Sequence, residues 1–374
     1  MRSNIIKKAG AVTASALVLG FAGVSLASAE PASSGRPYAA VGSDTTQGVW
    51  NGLTNGGPIR SIASWDAFAA DGSTTITLNT SGQTIARPNG SGSGVKALSA
   101  AENPNNHVFI GQDKQTYTLK PGDISVARSS SAPSKAGNEL IFLPFARDAM
   151  TFAYKDSQNR ALDLSPEEIQ GIFSCTPKGR VTINAEGKPV VDGFVLTPKV
   201  PNAASGTYSF FMKAAALTSL DSTCVPPANQ GFPENNAEVL VNDGDIVPFS
   251  AAQWIAQNNG AIQNTTSAQH HLADIASRKA IDPASAAPTL RPGPLFGDPT
   301  VAPPVGFGSY ARDVFNVVPA RIASSTATED VVLRNSITTL LKTTASKRII
   351  NKFGFMNLEY VGDWAAGKPS GYTN

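Results

Sequence analysis

The chain has 374 residues, of which 30 are Lys or Arg, 28 are Asp or Glu, three are His and two are Cys. A net charge of +2 without any long Lys/Arg stripe gives no electrostatic footing for a nucleic acid or an anionic membrane as partner. His107, His270 and His271 show no ligand spacing with either Cys, so no zinc site or other metal is expected.

Arg2, Lys7 and Lys8 precede an apolar run from Ala9 to Leu26, and Ala27-Ser28-Ala29 follows as a small-x-small cleavage pattern. This reads as a secretory signal over 1–29, cut after Ala29. The signal takes three basic residues with it, so the remainder carries 27 against 28 acids and is close to neutral. No Cys at the cut offers a lipid anchor, and no later run reaches the ~20 apolar residues of a membrane span. The mature chain is therefore expected to be secreted or extracytoplasmic, and monomeric. It is long for one domain and natural for two, at about 150 residues each.

Tyr38-Ala-Ala-Val41 is a short strand that breaks at Gly42-Ser43-Asp44-Thr45-Thr46-Gln47 and continues as a helix through Leu53, with Asp44, Thr45 or Thr46 as its cap. Residues 74–79 alternate with period two. Gly90-Ser-Gly-Ser-Gly94 then turns into a helix beginning at Val95. A third strand, 123–127, leads into Arg128-Ser129-Ser130-Ser131. Apolar strands at 140–146 and 149–154 flank the polar pair Arg147-Asp148. Ser165-Pro166-Glu167-Glu168 opens a helix with a cap, a first-turn Pro and first-turn acids.

Ser205-Gly206-Thr207 feeds another helix, from Tyr208 to Leu217. A strand at 245–249, a short helix at 251–257, a Pro- and Gly-rich irregular surface at 283–307 and a late strand at 312–319 follow. Residues 331–353 read as one long amphipathic helix. Cys175 and Cys224, in an oxidising compartment, most simply form one disulfide across 49 positions, worth about 3–4 kcal/mol. Alternating strands and helices imply an α/β fold with mostly parallel sheets and a ligand crevice at the carboxyl ends of strands.

Three of these turns share one character. Thr45-Thr46-Gln47, Ser91-Gly92-Ser93-Gly94 and Ser205-Gly206-Thr207 each place hydroxyls and free backbone N–H groups at a helix start, where the dipole favours negative charge. Together they point to a small anion held by dipoles.

Read in order, 41–47, 90–98, 123–129, the strand pair at 140–154, 164–173, 204–211 and 354–358 resemble the phosphate-binding proteins of bacterial ABC importers. The resemblance runs from about 40 to 360, with little match over 258–310, and the signal and small-residue composition suit an actinobacterial secreted relative. It implies a two-lobed periplasmic-binding-protein fold of type II, with phosphate in a cleft between lobes that close on a hinge. Lobe I is expected at 36–146 plus 250–374 and lobe II at 147–249, which places the disulfide within lobe II.

The resemblance carries Thr46 and Gln47 onto first-loop ligands and Ser91 onto the second-loop hydroxyl. Ser205, Gly206 and Thr207 fall on the donor cluster of the second lobe. Two positions depart from it. The family's aspartate after the third strand falls on Arg128; its arginine before the Ser-Gly-Thr motif falls on Pro201, with the neighbouring acid on Ala203. Arg128 then either gives bidentate hydrogen bonds to the anion or forms a structural ion pair with Asp44 or another acid.

The function implied is capture of phosphate or a related anion, inorganic or organic, for ABC-type import, without cofactor or catalysis. The alternative is a secreted interaction protein on the same fold with a decayed anion site, its partner surface at 283–307. Ser93-Gly-Val-Lys96 matches the Ser-x-x-Lys pattern of acyl enzymes, but neither Ser-Asp-Asn nor Lys-Thr-Gly follows.

Overall fold

The polar pair Arg147-Asp148 does not end a strand, because both residues find partners on the neighbouring one. The apolar stretches on either side merge into a single strand, Leu140–Lys155. The structure, a computed structural model, describes residues 30, 35–78, 81–203, 205–300 and 306–374; the signal segment and its cut after Ala29 lie outside the described residues. In chain order the elements that position the site are β1 (Tyr38–Gly42), α1 (Gln47–Thr54), β2 (Ile62–Ser64), α2 (Ser91–Glu102) and β3 (Val126–Ser129). They continue with β4 (Leu140–Lys155), α3 (Pro166–Ser174), α4 (Gly206–Ala214), β5 (Asp245–Ser250), α5 (Ala251–Asn258) and β6 (Ala311–Pro319).

The fold is mixed α/β, with β4 as the spine of its large sheet. Residues 140–149 of β4 pair antiparallel with β6, and residues 150–154 pair antiparallel with β5. β6 lies against β3, which runs parallel to β1, and β1 runs parallel to β2. Thr197–Pro198 adds a parallel partner on the far side of β5. Within the large sheet parallel pairing is thus confined to the two flanks, where the sequence suggested it throughout. A chain that leaves one flank along β4 and returns along β6 must pair antiparallel with itself. The β4–β6 register slips once, between Val314 and Phe315, beside Pro144, which has no N–H to give the ladder.

One apolar core runs beneath both flanks and holds Trp50, Phe145, Phe152, Phe173, Phe211 and Phe353; a second sits under α2 with Ile76, Val95, Leu98 and Phe109. α3 starts where its sequence said, with Glu168 N donating to Ser165 Oγ at 3.2 Å and Ser165 N donating to Glu168 Oε2 at 2.9 Å. Cys175, just past it, is disulfide-bonded to Cys224.

The expected long helix over 331–353 is two helices, Thr328–Ile337 and Thr344–Lys352, with a 3-10 turn at Leu340–Lys342 between them. Threonines cause the break. Thr338 leaves helical backbone, and Thr343 Oγ1 accepts from Ser346 N at 3.3 Å as the cap of a new start.

The Gly-Ser-Gly-Ser-Gly loop serves packing as well as turning. Gly90 sits at φ +112, and a Cβ on Gly94 would lie 2.6 Å from Gly42 Cα and 3.1 Å from Val41 O. α2 therefore rests directly on the β1 backbone. Gly92 faces nothing within 4 Å. Gly94→Ala is expected to lose about 1–3 kcal/mol to overpacking, more than the ~1 kcal/mol of helix propensity it gains, whereas Gly92→Ala keeps only the gain. Urea denaturation of the two variants, with shifts of opposite sign, checks this.

Candidate functional site

β1 ends at Gly42, and the next four residues, Ser43 to Thr46, are buried although all are polar. A buried polar loop needs partners on every side. Ser43 N donates to Arg128 O at 3.0 Å. Thr45 O accepts from Gln253 Nε2, and Thr45 Oγ1 lies 3.5 Å from Glu234 Oε1 as a donor. The Asp44 carboxyl is hydrogen-bonded to that of Glu234. Ser43 Oγ and Thr46 Oγ1 are buried with no partner among the described residues.

The other two turns arrive at the same place. Ser91 Oγ accepts from Ser130 N at 3.0 Å and lies 3.1 Å from Ser130 Oγ. Ser205 caps α4, its Oγ accepting from Thr207 N at 3.0 Å and donating to Glu234 Oε1 at 3.0 Å. Gly206 is pressed against the second turn: a Cβ there would come 2.4 Å from Ser130 Oγ and 2.7 Å from Ser91 Oγ. Thr207 Oγ1 accepts from Arg312 Nη2 at 2.8 Å.

Arg312 is the cation of the cluster. It is 3% exposed, and Asp148 Oδ2 accepts from its Nη2 at 2.9 Å and its Nε at 3.2 Å. Asp148 is fixed in turn by Ser250 Oγ, at 3.0 Å from each carboxylate oxygen, and by Ala252 N at 3.1 Å. Arg312 Nη1 is buried without a partner among the described residues. A donor fork held on one side and open on the other suits an oxyanion.

Two of the residues suggested by sequence stand apart from this cluster. Gln47 Oε1 accepts from Ala67 N at 2.8 Å and Phe68 N at 3.4 Å, tying α1 to the segment after β2. Arg128 needs a fuller correction, because its guanidinium is spent on the fold. It is fully buried and donates to Ala40 O at 3.1 Å, Ser64 Oγ at 3.0 Å, Trp65 O at 2.6 Å and Ser43 O at 3.4 Å. Among the described residues no carboxylate oxygen accepts from it. Burial pulls its pKa down to about 10.

No family model matches the chain, and no curated protein matches it. Among solved structures, it is similar to an ABC-type phosphate transport receptor from Vibrio cholerae, at 15% identity and a TM-score of 0.49 over 86% of this chain and 100% of that one. It is similar also to a putative phosphate ABC transporter substrate-binding protein from Clostridium perfringens, solved with bound phosphate, at 12% identity and a TM-score of 0.49, covering 86% and 99%. A phosphate-binding protein from Stenotrophomonas maltophilia aligns at 14% identity and a TM-score of 0.49, covering 88% and 92%.

Four groups of the cluster were not picked out as ligands from the sequence: Asp44, Glu234, Arg312 and Asp148. Asp44 is 4% and Glu234 2% exposed. Burial, and for Glu234 the neighbouring Asp44 charge, push both carboxyls up, Glu234 to about 8. Two carboxyls out of water and in contact resist ionising together, and both are pushed above the ordinary carboxylate range. Ser43, Thr46 and Arg312 thus bring unmatched polar groups, while Asp44 and Glu234 accept protons. The arrangement can hold an anion that carries a proton of its own.

Proposed function

We propose that this cluster captures a phosphate-type oxyanion outside the cell membrane and that the protein passes it to ABC-type import components. The single observation that carries the reading is Arg312, buried, braced by Asp148 and Thr207, and left with an unpartnered Nη1. Ser91, Ser130 and Thr46 hydroxyls and the α4 start at Gly206 and Thr207 supply the remaining donors. The lobes, 36–146 plus 250–374 and 147–249, close on the anion because their donors share it. Asp44 and Glu234 set the choice of anion. Phosphate can take up and carry a proton at neutral pH, whereas sulfate brings only charge.

Calorimetry in buffers of different ionisation enthalpy tests this. Phosphate is expected to bind with net proton uptake and to outcompete sulfate. Arg312→Gln should weaken it about 100-fold, and Arg312→Lys less, since a lysine keeps the charge beside Asp148. Failure of phosphate to bind the native protein overturns the reading. Two observations favour a second reading, an interaction protein with a decayed site: Asp44 and Glu234 already satisfy each other, and Gly206 already touches Ser91 and Ser130. A flat thermal-shift response to phosphate, sulfate and organic phosphates together decides for it.

A further inference from the structure

Resting on the phosphate reading above, we infer that the ligand is a phosphate monoester whose organic group lies in the cavity beside Arg312. That cavity measures about 440 Å³, within the ~300–1,000 Å³ of small-molecule sites. Its inner end is shared with the anion cluster, because Ser130 and Arg312 wall both. From there it follows one face of α4 outward. Gly206 touches the second turn, and Ser209, Phe210 and Lys213, at helical spacings of three, four and seven, line the cavity.

The walls change character along the way. Phe210 covers the Arg312 guanidinium at 5.2 Å from ring centroid to Cζ, and Ala132, Pro133 and Phe315 line the same space. Exposed Lys213 and Lys368 stand at the mouth, with Lys368 Nζ 5.1 Å over the Phe315 ring. A free tetrahedral ion held at Arg312 and Thr207 has no atom to reach these groups. A monoester does: its phosphoryl oxygens stay at the cluster, its ester oxygen points along α4, and a flat apolar body lies between Phe210 and Pro133. An acidic substituent on that body would meet the lysines.

Parallel calorimetric titrations of the protein with inorganic phosphate and phenyl phosphate test the assignment. Phenyl phosphate is expected to bind at least about tenfold tighter. Ser209→Trp, a substitution at an exposed position that fills the cavity, should reverse that ratio, and Phe210→Ala should reduce it. Tighter binding of the inorganic ion by the native protein, or a ratio unmoved by Ser209→Trp, overturns the monoester and leaves phosphate capture standing. Binding of neither compound overturns phosphate capture itself, and the monoester with it.

Discussion

Arg128→Met is expected to destabilise the protein by about 3–5 kcal/mol, from the loss of the hydrogen bonds that a buried charged donor gives to neutral acceptors. The side chain reaches from β3 under the β1–α1 loop and holds the carboxyl ends of β1 and β2 through Ala40 O, Ser43 O, Trp65 O and Ser64 Oγ. Methionine fills the volume but leaves those acceptors dry, at about 1–3 kcal/mol for each that finds no water. Arg128→Lys keeps the charge with three donors in place of a planar fork, and should lie between the two. Although the same loop carries Asp44 and Thr46, the Arg128 guanidinium donates only to protein acceptors, so the folded fraction of each variant should bind phosphate with little change. Urea denaturation and calorimetry on the same samples separate the roles. Native stability with lost anion affinity would return Arg128 to the site and remove it from the scaffold.

The contrast between Arg128 and Arg312 shows what the chain made legible. Strand, turn and helix followed from period and capping, as at Ser165 and Glu168, because those signals are local. The three polar turns were legible for the same reason, and the fold brings Ser91, Ser205, Gly206 and Thr207 together. Which arginine faces the anion depends on register, which is not local. Arg147-Asp148 and Arg312-Asp313 are matching dipeptides in two apolar strands, and antiparallel pairing sets Arg312 opposite Asp148 and Asp313 opposite Arg147. Charged pairs inside apolar runs were the available signal for a buried site. Glu234 gave no such signal, since it lies in an irregular segment after Gln230–Phe232 and meets Asp44 only in the folded chain.

Stability in phosphate-free buffer should fall as pH rises from 4.5 to about 8, and Glu234→Gln should flatten that decline. Glu234 ionises near 4.5 when unfolded and at about 8 when folded, and Asp44 is shifted the same way. Between those values the native state holds a proton that the unfolded chain has lost. Raising the pH therefore favours unfolding, by at most about 1.4 kcal/mol per pH unit for one proton. The contribution is whole below 4.5 and gone above the folded value.

Glu234→Gln separates this contribution from those of the other titrating groups. Asp156 and Glu168, held down to about 2 by Arg160 and Arg180, lose their contribution only as pH falls through the acid range. His270, lowered by burial, slopes the other way and only around 6.5 and below. Asp66 and Glu102 are raised by burial and add to the decline, but neither contacts Glu234, so their share survives in Glu234→Gln. Phosphate, by requiring protons in the cluster, should move the onset of the decline to higher pH. Thermal denaturation across the range, with and without phosphate, reads both effects. Equal slopes in the native protein and Glu234→Gln would show that the Asp44–Glu234 proton is not there.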